Sequence, residues 1–411
     1  MGSLCLEEPC YGTSATAIER IDDNQPKYIR ITDFDDFGIE ENHKYMAAES
    51  YSSKHLLRKN DIIFARTGGT VGKTYFYDGE IGPAVFAGYC IRFRFDENEV
   101  IPKFVYWYTK TDMYQKWVNG IQRPAGQPNI NKEEYKSFEI VLPSIDIQQK
   151  LVDFMDDANL SRQNKTDQSE SLLSSMNEYI FDKLNLSHIS FEERLCCAIR
   201  LSNTVEDRTF SAEYYHPERM AALHLLKSNT DISAHKLSNV VTFHRDIVSS
   251  ENNASYLGLA GVESQTGELS GVQEEVAGQA FAYEKDDILY GRLRPYLNKV
   301  LLAESDGICS TEFHVMKVID TTTVLPEYVA AILRSDLILL QTRHMMTGNT
   351  HPRISNDDVQ NLYIPVPDIS VQMQIVVDLR KRRIEARKLK CEAEQEWQAA
   401  KEQFERELLG E

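Results

Sequence analysis

The order of apolar and polar positions repeats itself once along the 411-residue chain. Short alternating or aromatic-rich runs, interrupted by Gly and Asp, predict strands at the start of each copy. A helix behind a proline follows, and a long polar segment without Pro or Gly ends each copy. The predicted strands are 28–31, 61–65, 74–77 and 89–95, then 255–259, 287–290, 299–303 and 312–318. The predicted helices are 102–109 and onward, 146–184, 326–340 and 370–409.

Both long segments have the apolar spacing of helices that pair with each other. In the second, steps of three, four and seven connect Ile375, Leu379, Ala386, Leu389, Ala393, Trp397, Ala400, Phe404 and Leu408. In the first, the polar stretch 161–165 separates two apolar ends, which are Ile147, Leu151 and Phe154, then Leu172, Met176, Ile180 and Leu184. A helix of ~40 residues is roughly 60 Å long. Because this exceeds what one small domain can cover, mutual pairing is favoured over packing of each helix on its own domain.

Four landmarks indicate that the two copies share one plan. Tyr28-Ile-Arg-Ile corresponds to Tyr256-Leu-Gly-Leu at an offset of 228, and Asp61-Ile-Ile to Asp287-Ile-Leu at 226. Pro128-x-Ile corresponds to Pro352-x-Ile at 224, and Ile147-Gln-Gln to Val371-Gln-Met at the same offset. Because both order and spacing persist, the chain is predicted to contain an internal repeat of one domain followed by one long helix.

Composition permits folded cores and narrows the class of protein. Hydrophobic residues make up 42% of the chain, which includes 20 Tyr and 17 Phe. No stretch approaches the ~18 apolar residues of a membrane span. The seven cysteines contain no CxxC, which favours a reduced, cytoplasmic protein without a disulfide or zinc framework. The formal net charge of −18 argues by itself against a nucleic-acid binder, since such proteins are generally basic.

No catalytic motif meets its own requirements. The segment 67–74, Thr-Gly-Gly-Thr-Val-Gly-Lys-Thr, approaches a phosphate-binding loop, but its first Gly stands one residue late. The residues after it predict a strand, whereas a helix N-terminus is needed to hold phosphates. HExxH and GxSxG are absent, and the ten histidines are scattered. We therefore expect a non-catalytic protein without a metal site, and a stand-alone enzyme is the weakest alternative.

Four segments contain no Asp or Glu and form two pairs at equivalent places in the copies. The strand segments are 62–77 and 288–303, and the turn segments are 113–132 and 337–356. Their Arg, Lys, Asn, Gln and His are residue types that hold phosphates and read base edges, which predicts a DNA-binding face. The alternative is that core strands and turns simply exclude acids. The candidate residues are Arg66, Thr67, Lys73, Lys116, Arg123, Gln127, Asn129, Asn131, Arg292, Arg294, Tyr296, Asn298, Lys299, Arg343, His344, Asn349, His351 and Arg353.

These features together resemble the specificity (S) subunits of type I restriction–modification systems. The matching elements are the tandem halves, the Asp-Ile-Ile/Leu strand followed by Arg and Gly, and Gly-Gln-Pro-Asn-Ile-Asn at 126–131. Leu-Pro-Ser-Ile-Asp-Ile-Gln-Gln-Lys at 142–150 and Pro-Val-Pro-Asp-Ile-Ser-Val-Gln-Met-Gln at 365–374 also match, as does Phe-Ser-Ala-Glu-Tyr-Tyr-His-Pro at 210–217. The resemblance covers essentially the whole chain. At the second turn Thr-His-Pro-Arg-Ile-Ser replaces the first motif, so the two halves are not expected to make the same contacts.

The resemblance implies an α+β chain in which two tandem mixed α/β domains are separated by two long helices that pair as an antiparallel coiled coil. It divides the chain into target recognition domain 1 (1–142), long spacer helix 1 (143–186), a connector (187–234), target recognition domain 2 (235–367) and long spacer helix 2 (368–411).

The resemblance also implies a function and a set of partners. The chain is expected to recognise a bipartite double-stranded DNA target and to dock two modification (methyltransferase) subunits, and restriction subunits through them. It is expected to bind no cofactor, with S-adenosylmethionine, ATP and Mg²⁺ on the partners. The net charge then predicts weak DNA binding by the isolated chain. A helical-hairpin scaffold that does not bind DNA is the alternative function.

Overall fold

A computed structural model of the chain describes residues 1–40, 42–121, 128–187, 198–206, 209–229, 232–249, 256–274, 278–348 and 350–410. The chain divides into two compact units. Unit 1 comprises Met1–Thr166 and Lys390–Glu411, and unit 2 comprises Asp167–Leu389. Each unit therefore contains one domain, the beginning of the long helix that follows it and the end of the other long helix.

Unit 1 is built on a short antiparallel sheet. Its strands are β1 (Cys10–Tyr11), β2 (Ala17–Ile18), β3 (Lys27–Ile29), β4 (Ala47–Ala48), β5 (Asp61–Ala65), β6 (Thr74–Tyr77), β7 (Ala84–Phe86) and β8 (Cys90–Phe93). The main sheet has the order β1-β8-β5-β6, and the pairs β2-β4 and β3-β7 lie outside it. All five residues of β5 are buried. Its last four residues, Ile62–Ala65, form the continuous apolar run that a central strand needs when both of its faces are covered.

Helices cover the main sheet of unit 1. They are α1 (Pro102–Tyr108), α2 (Asp112–Ile121), α3 (Lys132–Ser137) and the long α4 (Ile145–Lys183). Pro102 occupies the first turn of α1, where its missing N–H costs nothing. Aromatic rings from α1 then meet the end of the second long helix, with ring centroids 5.8 Å apart for Phe104 and Phe404 and 5.7 Å for Trp107 and Trp397. This aromatic contact closes the core of unit 1.

Unit 2 repeats the plan with a second sheet added. Its helices are α5 (Leu201–Glu206), α6 (Pro217–Ser228), α7 (Pro326–Arg334), α8 (Asp336–Thr342), α9 (Asn356–Gln360) and α10 (Ile369–Leu409). Its strands are β9 (Ser233–Lys236), β10 (Val241–His244), β11 (Ile247–Ser249), β12 (Tyr256–Leu257), β13 (Gln279–Tyr283), β14 (Ile288–Gly291), β15 (Val300–Leu302), β16 (Gly307–Ser310), β17 (Phe313–Val318) and β18 (Tyr363–Val366). The sheet β10-β17-β14-β15 corresponds to the main sheet of unit 1, and β11-β13-β16-β12 and β18-β9 are the others.

The long helices pair antiparallel within each unit. In unit 1, Lys165 of α4 forms ion pairs with Glu396 and Glu392 of α10. In unit 2, the Ser169 hydroxyl donates to the Ala386 carbonyl at 2.9 Å, and Tyr179 donates to the Asp378 carboxylate. Residue numbers rise along one helix as they fall along the other, which confirms the predicted fold class, including the antiparallel pairing.

The apolar seam of α10 is confirmed. Every predicted residue of that seam is buried except Leu389, which is half-buried. The polar stretch 161–165 is accounted for by the Lys165 ion pairs and by Arg162, whose guanidinium lies 3.5 Å from the centroid of the Phe37 ring.

Two predicted details differ from the structure. Ile147, which was predicted in the seam of the first long helix, is 42% exposed, and its neighbour Gln148 is buried instead. The predicted helix 326–340 is two helices, α7 and α8. They are separated by Ser335, whose extended backbone breaks the helical hydrogen bonds and whose hydroxyl donates to the Ile332 carbonyl. Among the described residues, no helix is both long enough and apolar enough to cross a membrane.

Candidate nucleic-acid interface

In unit 1 the tertiary structure joins the strand segment to the turn segment. The Ile130 N–H donates to the Arg66 carbonyl at 2.9 Å, and the Gly68 N–H donates to the Pro128 carbonyl at 3.0 Å. The Tyr135 hydroxyl, buried beneath them, donates to the Ala65 carbonyl at 2.6 Å. Two stretches without acids, separated by 35 other residues in the chain (78–112), thus form one surface at the end of β5.

The same connection is made in unit 2. The Ile354 N–H donates to the Arg292 carbonyl at 3.0 Å, and the Arg294 N–H donates to the Pro352 carbonyl at 2.7 Å. The residues involved stand at the repeat offsets found in the sequence, so the Pro-x-Ile motif has one structural role in both copies. That role is to attach the turn segment to the backbone that follows the central strand.

Equivalent positions of the two loops adopt a left-handed backbone. Gly68 has φ of 73°, and Arg294 has φ of 48°. This conformation suits glycine and is unfavourable for a residue with a Cβ atom. Unit 2 therefore holds a strained arginine where unit 1 has glycine, and backbone strain of this kind is concentrated at functional sites.

In unit 1 several candidate cations lie at or near the joined surface. Arg66 is half-buried, its guanidinium lies 4.8 Å from the centroid of the Tyr11 ring, and its Nε donates to the Asn129 amide oxygen at 3.3 Å. Asn129 and Lys116, the latter on α2, are exposed. Lys73 is half-buried and stands 3.7 Å from the Asp36 carboxylate.

In unit 2 an acid from outside the segments enters the surface. The Glu312 carboxylate accepts from the Arg353 guanidinium at 2.7 Å and lies 4.0 Å from Arg292. The hydrogen bonds from Arg353 hold the pKa of Glu312 below its usual value, so this acid remains charged. Arg294, Tyr296 and His351 stay exposed. Unit 2 consequently offers a smaller positive charge than its sequence segments suggest.

Five candidates bond to other groups of the protein, and a sixth supports a loop. Asn131 caps α3 by accepting from the Glu134 N–H, and buried Asn298 donates to the Arg334 carbonyl at 2.7 Å. The Lys299 ammonium donates to the Leu259 carbonyl at 2.8 Å. Arg343 and His344 both contact the Glu218 carboxylate. Thr67 pairs with Asn129 through its backbone. Arg123, Gln127 and Asn349 lie outside the described residues.

Sequence reasoning missed a buried cation at the end of each domain helix. Lys110 follows α1 and donates to the Thr74 carbonyl at 3.0 Å, and Arg334 ends α7 and donates to the Val300 carbonyl at 3.1 Å. Burial lowers the pKa of Lys110 to about 7. The two positions match at the repeat offset of 224, so alignment of the copies was the available signal.

Histidine 314 lies behind the unit 2 surface. Burial, and secondarily the neighbouring charge of Arg292, lower its pKa to about 4. Its ring lies near those of Phe243 and Tyr290, with centroids 6.1 Å and 6.4 Å away. This histidine is therefore neutral at physiological pH and is part of the core of unit 2.

Comparison with known proteins finds one family model and one curated relative that match part of the chain. Residues 12–173 match the family model described as the type I restriction modification DNA specificity domain. A stretch of 129 residues is 27% identical to the type I restriction enzyme EcoDI specificity subunit of Escherichia coli, covering 30% of this chain and 28% of that protein. The chain thus spans well under a third of that curated relative in the alignment.

Two solved structures align with nearly the whole chain. The S subunit of a type I restriction–modification system from M. genitalium is 14% identical, covers 99% of this chain and 94% of its own, and has a TM-score of 0.48. A chain of a type I R-M system, solved for its complex assembly and conformational transition, is 12% identical, covers 98% and 95%, and has a TM-score of 0.49. Because the identities are 12% and 14% and both TM-scores are below 0.5, no function of this chain follows from these two structures.

The chain is thus similar to proteins that confer DNA specificity in restriction–modification. Residues 12–173 match the model of the type I restriction modification DNA specificity domain, and the resemblance of the chain to type I specificity subunits, which its motifs indicated, is confirmed.

Proposed function

We propose that this chain is the non-catalytic specificity subunit of a type I restriction–modification complex and that each unit reads one half of a bipartite DNA target. One observation carries the proposal. The strand segment and the turn segment are joined by equivalent backbone hydrogen bonds in both units, and arginines follow the central strand in each. A repeated binding surface is what a target with two half-sites requires.

The exposed candidates and the half-buried Arg66 have separate roles in this proposal. Lys116 and Arg66 in unit 1 and Arg294 in unit 2 hold phosphates or guanine edges, since these are the usual targets of Lys and Arg. Tyr296 and His351 add contacts to base edges or sugars. Because the chain carries a net charge of −18, and Glu312 neutralises part of unit 2, the isolated chain binds DNA weakly.

Two methyltransferase subunits dock on the long helices and strengthen the grip on DNA. Exposed apolar side chains support this docking, because such groups on a helix surface mark protein contacts. On α10 they are Ile369, Met373, Val377 and Ile384, and on α4 they are Ile145, Ile147 and Leu160. In this proposal the complex is cytoplasmic, the partners supply S-adenosylmethionine, ATP and Mg²⁺, and restriction subunits join through the methyltransferases.

Methylated-base sequencing tests the proposal in a host that expresses the chain with its methyltransferase. Arg66→Ala should relax or weaken recognition in one half-site and Arg294→Ala in the other, each by ~1–3 kcal/mol if the arginine reads a base. Lys59→Ala and Lys285→Ala are matched controls, because these exposed lysines stand at equivalent places near the opposite ends of β5 and β14. The controls should leave the methylated sequence unchanged.

The outcomes separate the readings of these residues. Equal loss on every DNA sequence would make the two arginines phosphate contacts. Methylation that is unaltered in both variants would contradict the assignment of this surface. Failure of the chain to remain on DNA with a methyltransferase present would favour the helical-hairpin scaffold, for which the exposed apolar positions on α4 and α10 are the supporting observation.

A further inference from the structure

Three side chains capable of binding a metal meet in unit 2. His216 is the N-cap of α6, Glu218 stands in the first turn of that helix, and His344 lies two residues after the end of α8. One ligand atom from each lies within 4.8 Å of the other two. His344 and His216 are 128 residues apart in the chain, so only folding brings them together.

The contacts within this triad are already short. The His344 Nε2 atom lies 2.8 Å from a Glu218 carboxylate oxygen. The rings of His216 and His344 stack with centroids 3.4 Å apart and planes 17° from parallel. A tetrahedral site with bonds of about 2.0–2.2 Å needs ligand atoms roughly 3.3–3.6 Å apart. One pair of ligand atoms in the triad is 2.8 Å apart and all lie within 4.8 Å of one another, so the required separation falls inside this range.

A neighbouring arginine orients the carboxylate. The Arg343 guanidinium contacts one Glu218 oxygen at 3.1 Å, and His344 is nearest to the other oxygen. Glu218 is buried, with 7% of its surface exposed. Outer groups that fix a ligand in this way are usual around metal sites. The positive charge of Arg343 also opposes a cation, so we expect binding of moderate strength.

We propose that His216, Glu218 and His344 bind one borderline divalent cation such as Zn²⁺. Two imidazoles with one carboxylate favour Zn²⁺ and similar transition metals over Mg²⁺ or Ca²⁺, which prefer oxygen ligands. Three protein ligands leave a fourth position for water. The ion fastens the start of α6 to the segment after α8. The competing reading is a metal-free network in which Arg343 and His344 simply share Glu218.

Titration of the full chain, purified without a histidine tag, decides between these readings. Calorimetry with Zn²⁺ should give one saturable site per chain, and Co²⁺ should produce the visible absorption of a four-coordinate ion. His344→Ala and Glu218→Gln should each weaken Zn²⁺ binding at least tenfold. His224→Ala is the matched control, because His224 lies exposed on the same helix outside the triad, and it should bind Zn²⁺ normally.

Two results would overturn the proposal. One is the absence of a saturable site and of the Co²⁺ absorption in the unmodified chain, which needs no variant and so does not depend on the folding of any substitution. The other is unchanged Zn²⁺ affinity in both His344→Ala and Glu218→Gln, provided that their circular dichroism matches that of the unmodified chain. Either result would leave the metal-free network as the explanation.

Discussion

At the scale of single residues, Arg294 combines a strained backbone with an exposed cation. Its φ of 48° lies in the left-handed region, which its counterpart Gly68 adopts without a steric cost. A left-handed backbone costs a residue with a Cβ atom roughly 1–2 kcal/mol. The strain persists in unit 2 because the Arg294 N–H is held by the Pro352 carbonyl. Strain kept at an exposed arginine is consistent with selection for binding over stability.

Arg294→Gly should therefore stabilise the chain while it weakens DNA recognition. We expect the free energy of unfolding in urea to rise by about 1 kcal/mol, since the strain is released. Arg294→Ala is the comparison, because it removes the same cation and keeps the Cβ atom. Both variants should lose recognition of one half-site, and only the glycine variant should gain stability. Equal stabilities would mean that the left-handed backbone carries no cost here.

Burial of His314 makes the stability of unit 2 decrease at acidic pH. Burial holds its folded-state pKa at about 4, whereas the unfolded chain protonates histidine near the ordinary value of 6.5. The unfolded state thus takes up the proton first, and stability should fall by roughly 2–4 kcal/mol between pH 6.5 and pH 4. His314→Leu should flatten this part of the stability curve measured by urea unfolding. The exposed His224→Leu should keep the full slope, and a steep slope in His314→Leu would refute the assignment.

At the scale of elements, one buried glutamine attaches each long helix to its own domain. The Gln148 amide accepts from the Ile101 N–H at 2.9 Å and donates to the Pro143 carbonyl at 2.9 Å. In unit 2, Gln372 accepts from the Leu325 N–H at 3.0 Å and donates to the Pro367 carbonyl at 2.8 Å. The Gln of the repeated sequence motif is therefore a structural residue that joins the helix start to the loop before the domain helix.

Gln148→Leu should lower the free energy of unfolding substantially. The substitution removes the hydrogen-bond partner of the Ile101 N–H and of the Pro143 carbonyl. Each buried polar group left unpaired lowers the free energy of unfolding by about 1–3 kcal/mol. Gln149→Leu is the matched control, since Gln149 is exposed on the next position of the same helix, and its effect should stay within about 0.5 kcal/mol. Urea unfolding of the full chain measures both. Equal effects of the two variants would contradict the role of Gln148.

At the scale of the whole molecule, each unit is completed by the long helix of the other copy. Lys401 near the end of α10 pairs with Asp112 in unit 1, and Asn177 near the end of α4 bonds to Asp336 in unit 2. These positions correspond at the repeat offset of 224. Both copies are therefore needed to form either unit, because each domain packs against the end of the long helix that the other copy provides.

The length of the long helices should set the spacing of the DNA target. Insertion of seven residues into α4 and into the facing part of α10 keeps the apolar seam in phase and lengthens each helix by about 10 Å. Methylation mapping should then show a longer unread spacer between two unchanged half-sites. Insertion of five residues is the comparison, because it rotates the seam and should destabilise the chain. An unchanged spacer in the seven-residue variant would show that the length of the helices does not set the spacing of the half-sites.

Local patterns in the sequence were enough to predict the central strands, the long helices and the repeat. The central strands, the prolines that start α1 and α7 and the seam of α10 follow from periodicities that act over a few residues. The absence of acids from the strand and turn segments was visible in the same way. These features depend on residues that are close together in the chain, so they can be recognised from the sequence alone.

Only the tertiary structure decided which candidate residues face outward. Glu312 stands outside every acid-free segment, yet folding brings it to Arg353. Folding likewise pairs the exposed Arg343 and the half-buried His344 with Glu218, and it places Gln148 in the core where Ile147 was expected. The physical reason is that the exposure of a side chain, and the charges around it, depend on residues that are distant in the chain and close in space. The spacing of residues along the sequence does not give those spatial distances.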